Sequence, residues 1–181
     1  MAAEILPKGG EGGEQYKAEA GGVDISPEQR DQLENYIDNM MLLIHKQPAA
    51  DKIIEGLQRV KNPQAAIAVT ANEVNEMLLR GFQENGKQYN NVTLFYGSYF
   101  LVKELIELGE IAGLFKLTEP ERFAAYTLAV QHFIGKGIKE GTIDPVGLQK
   151  DVEPLMPDDL RAKGQAAMNQ AQGPQAREVM Q

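Results

Sequence analysis

The chain has 181 residues, of which 43% are apolar and 24% charged. These values fit one ordinary globular domain and argue against global disorder. Its net charge is −8, with 26 Asp and Glu against 18 Lys and Arg, and no window gathers the basic residues into a patch. A nucleic-acid backbone is therefore not an expected partner. Cysteine is absent, which removes disulfides, thiolate chemistry and Cys-ligated zinc together.

Along the chain, the opening MAAEILPKGGEGGEQ lacks the basic segment and apolar core of a signal peptide. The longest apolar runs, such as Met40-Met41-Leu42-Leu43-Ile44, are too short to span a bilayer. A soluble protein that stays where it is made, or is carried elsewhere by a partner, is expected. Residues 1–25 are rich in Gly, Glu and Ala, with pairs at Gly9-Gly10, Gly12-Gly13 and Gly21-Gly22, and predict a flexible arm. A helical domain is expected over 26–160. A Gln/Ala-rich tail occupies 161–181, broken at Gly173-Pro174.

Ser26-Pro27-Glu28-Gln29 predicts a helix start: Ser as N-cap, Pro in the first turn, and Gln three residues on to close a capping box. Leu33, Tyr36, Ile37, Met40, Met41 and Ile44 then form one amphipathic stripe, and Pro48 ends it. A short helix over about 49–60 uses Ile53, Ile54 and Leu57. Asn62-Pro63 caps a longer one with Ile67, Ala71, Val74, Leu78 and Phe82 inward. A fourth helix over about 92–108 is expected to bury Phe95, Tyr99, Val102 and Ile106 and to expose Glu104, Glu107 and Glu110. Thr118-Glu119-Pro120-Glu121 is a second capping box, opening a helix through about 139 that should bury Phe123, Tyr126, Val130, Phe133 and Ile134, with Gly141 as its C-terminal cap. Asp144-Pro145 starts one more turn or short helix, and Pro154 and Pro157 break the chain beyond it. Only 91–95 and 139–143 read as short strands, and neither alternates over enough residues. The expected fold is all-α, an irregular bundle of about five helices with extended flexible N- and C-terminal tails.

Catalytic signals are sparse. His45 and His132 each stand alone beside apolar neighbours, without the four-residue spacing of a helical metal pair, and read as surface or boundary residues. Glu73 with Glu76, and Glu104 with Glu107, share helix sides at three-residue spacing. No Glu-x-x-His accompanies them, so they read as a solvated acidic face. Gly135-Lys136-Gly137 falls near a helix end rather than between a strand and a helix, which excludes a phosphate loop. Ser26 and Ser98 lie in no nucleophile elbow. No catalytic residue, metal site or cofactor is assigned. The densest aromatic group is Tyr89, Phe95, Tyr96, Tyr99 and Phe100. With Phe95 and Tyr99 read as core, Tyr89, Tyr96 and Phe100 are the candidate interface residues.

The Gly/Glu-rich start, the opening helix ISPEQRDQLENYIDN and the Ala/Gln/Gly/Pro-rich finish resemble small virion structural proteins of tailed bacteriophages: portal- or tail-associated components and internal proteins. The resemblance implies a structural or assembly role in many symmetric copies, in the virion or host cytoplasm, touching other structural proteins through helices and through tails that order on contact. It carries no functional residue over. A scaffolding or chaperone-like protein would share this style. The competing expectations are a small acidic adaptor that binds and masks a cellular protein, and an enzyme using only Glu, Tyr, Lys and Asn.

Overall fold

A computed structural model describes residues 25–86, 88–141 and 143–155; the expected arm, tail and domain limit at 160 lie outside these residues. Six α-helices, and no strand, occur among the described residues: α1 (Pro27–His45), α2 (Ala49–Gln58), α3 (Pro63–Glu84), α4 (Asn91–Ile111), α5 (Glu119–Glu140) and α6 (Pro145–Val152). A 3-10 turn, Glu153–Leu155, comes after α6. The fold is all-α as expected. The sixth helix is the segment opened by Asp144, whose carboxylate accepts the N–H groups of Val146 and Gly147.

Most helix starts are side-chain caps legible in the sequence. Ser26 Oγ accepts the Gln29 N–H at 3.2 Å while Gln29 Oε1 accepts the Ser26 N–H at 2.9 Å, so two otherwise orphaned donors are satisfied reciprocally. Asn62 caps α3 through the Ala65 N–H. At α5 the Glu121 carboxylate accepts both the N–H and the hydroxyl of Thr118, and these bonds hold its pKa below the ordinary carboxylate value. Gly141 ends α5 in the left-handed region, φ 71°, where a Cβ would be strained. Residues 91–95, the possible strand, form the first turns of α4 instead, because the Asn90 side chain accepts the Thr93 N–H and starts a helix.

The centre of the bundle is α4. It packs against α1, α2, α3, α5 and α6, and its sequence is apolar nearly all round, the pattern of an enclosed helix. Its buried residues therefore lie on several faces and include Leu94, Phe100, Leu101, Leu105 and Leu108 besides the expected Val102 and Ile106. Tyr99, expected inside, is 42% exposed, and Phe95 is only half-buried. Glu104, expected outside, is buried, while Glu107 and Glu110 are half-buried. A single stripe could not describe a helix with neighbours on so many sides. In contrast, the six α1 stripe residues are all buried as expected.

Close approach between α1 and α4 depends on Gly97. A Cβ there would stand 2.6 Å from the Tyr36 ring, which is itself fully buried. The Tyr36 hydroxyl donates to Asn75 Oδ1, and Asn75 Nδ2 donates to Ser98 Oγ at 3.1 Å. One buried polar chain thus joins α1, α3 and α4, and burial pushes the Tyr36 pKa well above the ordinary tyrosine value. Gly97→Ala is expected to destabilise the protein by roughly 1–3 kcal/mol through overpacking. Gly81→Ala, at an exposed position of α3 with open space around it, should stabilise it by about 0.5–1 kcal/mol through helix propensity. Urea unfolding of the two variants checks the opposite signs.

Candidate interaction surface

The three residues nominated from sequence as an interface do not form an exposed platform. Phe100 is 2% exposed, inside the core on α4. Tyr89 is 8% exposed: it precedes α4, stacks on Phe82 with centroids 3.7 Å apart, and meets the Tyr36 ring edge-on at 5.4 Å. Tyr96 is half-buried, edge-on to Phe95 at 5.4 Å, with its pKa raised by burial. Tyr89 and Phe100 are thus corrected from interface to interior. The reason is the central position of α4, which gives these rings partners within the subunit.

Sequence reasoning missed one buried histidine–carboxylate contact. His45, the last residue of α1, places Nε2 2.6 Å from Glu104 Oε1 on α4, with side chains 8% and 5% exposed. His45 is therefore no surface residue. Its Nδ1 has no hydrogen-bond partner among the described residues. His132 is exposed, as expected. Glu73 and Glu76 face solvent only in part: Glu73 lies 3.8 Å from Arg59, and Glu76 accepts a hydrogen bond from Lys136 of α5. No group of three His, Asp or Glu among the described residues could hold a metal ion, and no helix among them is long and apolar enough to cross a membrane.

A cleft of about 720 Å³ lies between α3 and the C-terminal half of α5, with Gln88 and Tyr89 also in its lining. Its polar wall is Glu76, Arg80, Lys136 and Glu140, and its apolar wall includes Leu79, Phe133 and Ile143. Lys136 bonds Glu76 and lies 3.8 Å from Glu140, and these carboxylates raise its pKa. A lysine held protonated is the opposite of one prepared as a nucleophile or base, which needs a lowered value. A second groove, between α1 and α3, exposes Leu42 and Met77 beside Asn35, Asn39 and Asn85.

The strongest surface feature is α5. The helix has 22 residues and packs on α3 and α4, yet its buried residues are only Ala125, Ala129 and Gly137. Its large apolar side chains were expected to fill the core. Instead Phe123 is 56% exposed, Leu128 and Ile138 are exposed, and Tyr126, Val130, Phe133 and Ile134 are half-buried. Small residues inside allow α5 to lie close to α3, the most extensive helix pair in the molecule. Tyr126 and Phe133 pack against the core while partly exposed, and Phe123, Leu128 and Ile138 are left outside. Arg122 fixes the N-terminal half by donating from Nη2 to both oxygens of Glu110, at 2.9 and 2.7 Å. Tyr126 meets Tyr99 of α4 edge-on at 5.1 Å, while Phe123, Leu128 and Ile138 stay exposed on α5 among polar neighbours such as Gln131 and His132. Exposed apolar surface of this kind marks contact sites.

The His45–Glu104 pair is structural on this geometry. Glu104→Leu should cost about 1–3 kcal/mol, because it leaves a buried imidazole nitrogen without its hydrogen-bond partner. The double variant His45→Leu with Glu104→Leu should be more stable than the single one. Thermal or urea unfolding of both variants checks the coupling.

No protein-family model matches the chain, and comparison with curated proteins and with solved structures finds no match to either.

Proposed function

We propose that the protein is a non-enzymatic structural or assembly component that binds other protein chains through the outer face of α5. The observation that carries this reading is the inversion of that helix, with only Ala125, Ala129 and Gly137 buried while Phe123, Leu128 and Ile138 face water. Covering such a face removes apolar surface from water, which is the main favourable term in protein association. The net charge of −8 favours protein partners over nucleic acid. A lysine kept protonated between two carboxylates and a histidine committed to a buried pair support a structural use of the charged groups rather than a catalytic one. A tailed-phage virion, with the chain as a portal- or tail-associated or internal component, is the assembly this reading favours, on the resemblance of its composition and opening helix.

Mass spectrometry of purified particles tests the reading when the wild type is compared with Leu128→Glu. The substituted position is exposed, so stability should change by no more than about 0.5 kcal/mol. The wild type should be present in repeated copies, and the variant should fold with unchanged helicity yet be depleted from the particles. A wild-type chain absent from every large assembly, or a variant incorporated as well as wild type, would contradict the reading.

A further inference from the structure

Between its charged ends, α5 carries a stretch without charge. Residues 123–135 contain no Asp, Glu, Lys or Arg, more than three turns at about 3.6 residues per turn. Within it Phe123, Ala124, Leu128, Gln131, His132 and Gly135 are exposed. Glu119, Glu121 and Arg122 lie before this stretch and Lys136, Lys139 and Glu140 after it; with Arg122 paired to Glu110 and Lys136 to Glu76, an acidic excess remains at the first end and Lys139 at the second. That segregation also suits the dipole of the helix itself. The uncharged exposed face between the ends has no such use in a lone subunit.

We infer that this face pairs with the same face of a second copy of the chain, antiparallel, about a two-fold axis near Val130. The inference rests on the proposed interaction role and names its first partner. Charge complementarity selects this occupant. Glu121 and Lys139 are 18 positions apart in the sequence, about five full turns at 3.6 residues each, so both lie on one flank of α5. Their midpoint in sequence is residue 130. Antiparallel pairing sets Glu121 of each copy beside Lys139 of the other, whereas parallel pairing sets like charges together. Ala124 and Gly135, whose midpoint lies about half a residue from this axis, come nearly opposite each other. Neither residue has bulk to hold the helices apart, and the space around Gly135 is open. Such a two-fold contact is isologous and closes on itself, so it yields a discrete dimer rather than a filament. One helix pair is a small interface, which sets a dissociation constant of roughly micromolar size.

The full-length chain supplies the test, helped by its lack of cysteine. Light scattering should show the mass rising from monomer to dimer with concentration, and Leu128→Glu should remain monomeric with unchanged helicity. Lys139→Glu should weaken the dimer several-fold. Under mild oxidation Gln131→Cys, beside the axis, should form a disulfide-linked dimer. Ala124→Cys should not, because its two copies would stand about 18 Å apart along the helices at 1.5 Å per residue. A monomer at concentrations far above the micromolar range would overturn the pairing. That is also the result if residues 1–24 or 156–181 of the same chain, or an unlike protein, cover α5. Cross-linking of Ala124→Cys as efficient as that of Gln131→Cys would overturn the antiparallel register. Either failure leaves incorporation into particles to be judged by its own measurement.

Discussion

Ala125 and Ala129 present almost no side-chain bulk to the bundle where α5 packs on α3 and α4, and Gly137 leaves room for Ile143, which a Cβ would meet at 2.4 Å. Larger residues at the two alanine positions would hold the helix further out. Tight inward packing by small residues leaves the bulky apolar side chains on the flanks and the outer face, where Phe123, Leu128 and Ile138 meet solvent. The gain from close backbone approach is therefore coupled to an exposed apolar surface that only another molecule, or another part of the chain, can cover. The rest of the fold supports this arrangement. Enclosed on many sides, α4 gives α5 a firm base, and the bonds from Arg122 to Glu110 and from Lys136 to Glu76 anchor its two halves.

Local signals make much of the fold legible. The capping boxes at Ser26 and Thr118, the N-caps Asn62 and Asp144, and the left-handed cap at Gly141 depend on residues within a few positions of one another. The α1 stripe is equally readable, since one buried face against one polar face gives an unambiguous period. In α4 the period fails, because an apolar residue on every side names no single inward face. Assigning Phe95 and Tyr99 to the core, and Phe100 to the surface, imposes one stripe on an enclosed helix.

The pattern of α5 misleads for a different reason. Bulk and apolarity suggest an inward face, but the smaller residues set the helix separation. The run without charge over 123–135 is visible in the sequence, but Thr127, Gln131 and His132 lie within it and it does not by itself name the inward face. The His45–Glu104 pair lies further from view, since its members are 59 positions apart and no local pattern joins them. Glu104 shares the segment Leu101 to Leu108 with Lys103 and Glu107, so nothing local marks it as the buried one.

The central claim is that α5 is the working surface of the subunit and that its first partner is a second copy of the chain. Hydrogen–deuterium exchange of the full-length chain, monitored as protein concentration rises, reports on that surface directly. The account predicts that amides within 123–135 gain protection with concentration while those of α1 and α2 stay constant. Exchange in α5 that is independent of concentration, or protection that rises equally throughout the bundle, would contradict it.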